Sequence, residues 1–175
     1  MDDTTLDPLK YPIGKFVPPA SYTEQQIRQW IDEIKSLPGK LRLAVMSLSE
    51  TQLDTPYRPG GWKIRQVVHH VPDSHANAYI RFKLALTEDN PTIKAYEEGL
   101  WALLPDYKMS IEPSLKMLEA IHLRWVTVLE SLDSDQWRRT YTQPVTRATA
   151  PLQQVLGMYA WHGNHHLAHI AGVKF

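Results

Sequence analysis

The chain has 175 residues, 43% hydrophobic and 22% charged, and its nineteen basic residues are balanced by nineteen acidic ones, which excludes a disordered or fibrous class and leaves no electrostatic footprint for a nucleic acid partner. No apolar run reaches the roughly 18 residues of a membrane span, and the N-terminus MDDTTLDPLK is polar where a secretory leader would be basic and then apolar, so one cytoplasmic domain over residues 1–175, with no membrane partner, is expected. There is no cysteine, so disulfides, thiolate ligands and a cysteine nucleophile are excluded and any metal must be held through nitrogen or oxygen.

Residues 1–20 carry Pro8, Pro12, Pro18 and Pro19 without a sustained period and predict an extended arm. Ser21 and Glu24 have the spacing of a capping box, and Ile27, Ile31, Ile34, Leu41, Val45 and Leu48 then trace one helix face, with a kink or short break expected at Pro38-Gly39. The run LDTPYRPGG (53–61) is turn chemistry leading into a second helix from about Trp62 to Leu86. Two adjacent apolar stripes predict that this helix is buried between partners, and Pro72 predicts a bend just after His70.

From Thr87 to Pro113 the period is lost, apart from a short helix expected within Ala95 to Leu104; connections this long often cover sites. Leu115, Leu118, His122, Trp125, Leu129 and Leu132 mark a third helix, and Trp137 to Ala150 reads as a loop or short hairpin. The fourth helix is expected to take Thr149 as its cap and Pro151 in its first turn, with Leu152, Val155, Tyr159, His162, His166 and His169 along one face. Four long helical patterns without convincing strand pairs predict an all-α, antiparallel four-helix bundle.

Four of the eight histidines fall within HGNHHLAH (162–169). His162 and His166 are spaced i, i+4, which puts two imidazoles on one face within reach of one ion. His165 stands i+3 from His162, but the progression from Leu152 through Tyr159 continues to His166 and turns His165 away. The second helix carries His70 on its own inner stripe, completing three nitrogens with positions left open, the pattern of a catalytic metal site. A lone H-x-x-x-H pair is as often surface or hydrogen-bonded histidine; the apolar face and the third histidine favour a ligand set. His69 reads as surface or supporting, and His75 and His122 as core histidines with a hydrogen bond. Asp73, Asn77, Tyr159 and His169 are candidates to orient the ligands or line a pocket. Asp73, Glu97 and Glu98 are conceivable proton acceptors, more simply read as surface or capping carboxylates.

The runs GGWKIRQVVHHVPDSHANAYIRFKLALTEDNPTIKAYEE and YAWHGNHHLAHI resemble the YfiT branch of the DinB-like superfamily, over almost the whole chain from Tyr11 to Ile170. The resemblance implies an antiparallel bundle, commonly dimeric, with zinc or nickel on three histidines that correspond to His70, His162 and His166. It also implies a metal-dependent hydrolase or a thiol S-transferase that uses a small thiol such as bacillithiol, acting on a small-molecule substrate. Two departures accompany it, Pro72 in place of a helix former and Gln143 in place of a histidine, and the chain stops at Phe175 where relatives continue. The competing reading is a non-catalytic, metal-binding stress-response protein with a structural ion. Trp161, beside the ligand stripe, is an expected exposed residue for a dimer interface.

Overall fold

The computed structural model describes residues 7–175, so the first six residues of the predicted arm lie outside it. The elements are α1 (Glu24–Val45), α2 (Glu50–Leu53), α3 (Ile64–Thr87), α4 (Glu98–Trp101), a 3-10 turn (Pro105–Lys108), α5 (Glu112–Glu130), α6 (Ser134–Trp137), β1 (Thr140–Thr142), β2 (Thr149–Pro151) and α7 (Leu152–Ala171). The long helices α1, α3, α5 and α7 form the predicted four-helix bundle. No helix among the described residues is long and apolar enough to cross a membrane.

Two predicted helix caps move. Thr23, not Ser21, caps α1, its hydroxyl accepting from the Gln26 N–H at 3.2 Å. Thr149 does not cap α7, because it pairs with Thr142 in the β1–β2 hairpin and Pro151 takes the cap position instead. Both prolines are accommodated: α1 runs unbroken through Pro38 and α3 through Pro72. A proline inside a helix removes one N–H, so each leaves a carbonyl one turn earlier without its helical donor.

The packing directions follow from the side-chain contacts. α5 runs against α1, with Arg42 bonded to Glu112 and Lys35 to Glu130. α7 runs against α3, with His70 beside His166 and Arg81 bonded to Tyr159. The other two neighbouring pairs run in the same direction: α1 with α7, where Trp30 meets Gly157 and Leu37 meets Gly163, and α3 with α5, where His69 bonds Ser114 and Phe82 packs on Trp125. Each helix therefore has one antiparallel and one parallel neighbour, and the chain order is up, down, down, up.

Two parallel neighbours need a connection that travels the length of the bundle. That is the physical reason for the long aperiodic stretch before α5. It climbs along α3, tied by Arg81 to the Lys94 carbonyl, Gln66 to the Ala102 carbonyl and Arg65 to the Met109 carbonyl. The arm lies along the second half of α7, where the Trp161 indole N–H donates to the Gly14 carbonyl at 3.2 Å. Trp161 is thus half-covered by its own chain, which corrects the expectation of an exposed interface residue.

Two apolar clusters fill the bundle, one around Phe82, Trp125, Leu152 and Leu156 and the other around Leu41, Ile64, Val67, Leu118 and Ile170. A layer of histidines separates them. The close approach of α1 to α7 depends on Gly157, where an added Cβ would stand 2.7 Å from the Trp30 ring. Gly157→Ala is expected to lower stability by about 1–3 kcal/mol in urea unfolding, as overpacking does, despite alanine's better helix propensity; an unchanged midpoint would show that Trp30 swings aside freely.

Candidate metal centre

His70 sits in the second turn of α3 and His162 and His166 one turn apart near the end of α7, so all three are set by rigid helices. Their ring nitrogens converge, one ligand atom from each lying within 4.8 Å of the others. The Nε2 atoms of His70 and His162 are 3.2 Å apart. Two nitrogens bound at about 2.0–2.1 Å to one tetrahedral ion stand about 3.3 Å apart, so this pair is already at ligand spacing. No Asp or Glu joins the three among the described residues. Trp62 presses its edge on His70 at 4.8 Å, while His162 keeps part of its surface accessible.

Burial dominates the electrostatics. It pushes His70 down to about 4 and holds His162 and His166 well below the usual imidazole range, with the neighbouring imidazoles adding a smaller repulsion for the latter two. The rings are therefore neutral at pH 7 and present lone pairs, the form in which histidine ligates a metal. The His70 Nε2 is the nitrogen that faces His162, and the Nδ1 of the same ring has no partner. A cation fits this donor set.

The supporting residues differ from those the sequence favours. Asp73 accepts from the Tyr107 hydroxyl at 2.7 Å and Asn77 donates to the Asp73 carbonyl, so the side chains expected to orient the ligands are bonded elsewhere and neither hydrogen-bonds to the three rings. The cause is the climbing connection, which brings Tyr107 to the outer side of α3. Tyr159 is brought in: its ring lies 5.8 Å from that of His162 and its hydroxyl accepts from Arg81 at 3.2 Å. His169 also arrives, with its Nδ1 at 3.4 Å from the His166 Nδ1 and its Nε2 at 3.2 Å from the Lys10 carbonyl.

His75 and His122 are core histidines, as their stripes predict, but their partners are consequential. His122 Nδ1 lies 2.6 Å from the Ile34 carbonyl, His122 Nε2 2.9 Å from His75 Nδ1, and His75 Nε2 3.2 Å from His162 Nδ1. Sequence periodicity marks both as inward-facing; only the three-dimensional packing shows that they end on a cluster residue. His69 is buried rather than exposed, held by Ser114 and the Met109 carbonyl. His165 stacks on Trp161 under the arm and is outside the cluster. Glu97 and Glu98 are exposed, and the Gln143 side chain closes the hairpin turn by accepting from the Val145 and Thr146 N–H groups.

A bundle whose interior gathers neutral nitrogen donors from facing helices has the architecture of the metal-binding helical bundles. Comparison with known proteins specifies the family: the DinB superfamily model matches residues 33–170, and the chain belongs to that superfamily. It is 53% identical over 169 residues to proteins of Bacillus cereus and Bacillus thuringiensis subsp. konkukian, covering 97% of each chain, and both carry the name "Putative metal-dependent hydrolase". A solved structure of YfiT from Bacillus subtilis superposes with a TM-score of 0.92 at 45% identity over 94% of both chains, and is described as "a probable metal-dependent hydrolase with an unusual four-helix bundle topology".

The buried imidazoles make a pH prediction whose sign is fixed. Burial holds His70 and His122 down to about 4 in the folded chain, against about 6.5 when unfolded, so the unfolded state binds more protons in between. Their contribution is complete above pH 6.5 and is lost as pH falls through about 4. Metal-free protein should show a urea midpoint that drops steadily from pH 6.5 to 4.5; a flat profile would mean that these rings are not buried neutral.

Proposed function

We propose that His70, His162 and His166 bind one divalent cation, zinc or nickel, and that the protein is a metal-dependent enzyme acting on a small electrophilic substrate. The observation that carries this reading is the convergence of three neutral imidazoles, two buried and one partly accessible, with no fourth protein donor among the described residues. Three imidazoles suit zinc or nickel. The names carried by the relatives point the same way. A bound cation would supply Lewis acidity, lowering the pKa of a water or of a low-molecular-weight thiol so that a nucleophile exists at neutral pH.

The chain's own residues do the rest. α3 and α7 hold the three rings in register, Trp62 and Tyr159 wall the cluster with aromatic surface, and His162 is the one of the three residues that is not fully buried. A closed structural ion would take four protein ligands, so the open set disfavours the stress-response reading. Hydrolysis is the simpler reaction because water needs no second site. A thiol such as bacillithiol as co-substrate belongs to the same proposal, since the chain has no thiol of its own.

The test is turnover of a panel of activated esters and other small electrophiles by metal-free and zinc- or nickel-loaded protein, with and without small thiols. Loaded protein is expected to turn over at least one substrate that metal-free protein does not; equal rates would contradict an enzymatic role for the cation. By chelator competition, His166→Ala is expected to weaken metal binding by more than the 10–100-fold typical of an outer partner, and His165→Ala to stay within about 10-fold. The reverse ranking would displace the proposed ligand set.

A further inference from the structure

The Ile34 carbonyl in α1 would ordinarily accept from the backbone N–H of residue 38. That residue is Pro38, which has no N–H. The carbonyl is left in the bundle interior, where an unpaired backbone acceptor is costly, and His122 Nδ1 meets it at 2.6 Å. A carbonyl only accepts, so Nδ1 carries the His122 proton and the neutral ring keeps a bare Nε2. That Nε2, 2.9 Å from His75 Nδ1, can only accept; His75 is therefore protonated on Nδ1 and bare on Nε2. His75 Nε2 in turn accepts from His162 Nδ1 at 3.2 Å. Each assignment forces the next, and the end of the series is a lone pair on His162 Nε2, the atom that faces His70.

We infer that Pro38, the Ile34 carbonyl, His122 and His75 form a tautomer-setting relay that holds His162 in the form able to ligate a cation through Nε2. The inference rests on the reading of the cluster as a metal centre. His122 and His75 are positioning residues, and the proline inside α1 is part of the device. The rings are neutral because His122 and His75 are buried and, among the described residues, no carboxylate hydrogen-bonds to a relay histidine. A second, shorter relay serves His166: the Lys10 carbonyl accepts from the His169 Nε2–H, so His169 Nδ1 accepts from His166 Nδ1 and leaves His166 Nε2 bare.

His70 is different, because its Nδ1 has no partner. In the metal-free protein its Nε2 proton is the one that can bridge the 3.2 Å to the bare His162 Nε2. Cation binding through His70 Nε2 then requires that proton to leave, so His70 alone changes tautomer, whereas His162 and His166 are preset.

The direct test is long-range proton–nitrogen correlation NMR of 15N-labelled, metal-free protein. His75, His122, His162 and His166 are expected as Nδ1–H tautomers, the reverse of the form free histidine prefers in water, with His169 and His70 as Nε2–H. Adding zinc should move only the His70 signals between tautomer classes. His162 or His75 found as Nε2–H would overturn the relay, and because this spectrum needs neither metal nor a variant, it decides the relay even if zinc does not bind; absence of zinc binding contradicts the metal centre instead. Two variants add a functional readout. His122→Leu, checked for helicity, should weaken zinc binding by about 10–100-fold, and His122→Gln, which retains a donor and an acceptor, should recover most of it. Pro38→Ala returns a competing N–H to the Ile34 carbonyl and should raise thermal stability while weakening zinc binding. A purely structural proline would raise stability alone, and that result would remove Pro38 from the relay.

Discussion

A buried imidazole has two nitrogens to satisfy, one a donor and one an acceptor when neutral, and that constraint organises the interior of this bundle. Seven of the eight histidines are buried, too many for each to find a backbone group of its own. The chain meets the demand by linking rings to one another and ending the links on carbonyls that can only accept. Among the ring nitrogens, His70 Nδ1 and His165 Nδ1 are buried without a partner, and the facing nitrogens of His70, His162 and His166 are where a cation fits. The cluster lies in a polar layer between two apolar clusters.

The helix directions make that layer possible. Because α3 and α7 are antiparallel neighbours, the early turns of one face the late turns of the other, and His70 meets His162 and His166. Because α3 and α5 run side by side in the same direction, His75 and His122 fall at the same height and join that layer from the opposite side. The cost is a long connection to α5, which the chain stitches to α3 through arginine, glutamine and histidine side chains on backbone carbonyls. Those ties cover one flank of α3, and the arm covers part of α7.

The central part of this arrangement was legible in the sequence because it depends on local periodicity. The progression Leu152, Val155, Tyr159, His162, His166 sets the register of α7 without reference to any other element, and the inner stripe of α3 does the same for His70. What escaped periodicity was tertiary. Asp73 looked like an orienting carboxylate until the connection delivered Tyr107 to it, and Thr149 looked like a cap until the hairpin claimed it. The link from His75 to His122 spans 47 residues, and that from His75 to His162 spans 87; no single-helix pattern carries such information. Pro38 is instructive in this respect, since in sequence it marks only a weak point in a helix, whereas in the fold its missing N–H frees the acceptor on which a line of side chains ends.

X-ray absorption spectroscopy of the zinc-loaded protein reads the ligands of the cation without reference to activity. Binding of one cation by imidazole nitrogens from α3 and α7 gives about three nitrogen scatterers at about 2.0–2.1 Å with the outer-shell pattern of imidazole rings, reduced in number by His70→Ala and by His166→Ala but not by His165→Ala. A first shell of oxygen alone, or one that neither ligand substitution changes, would contradict it.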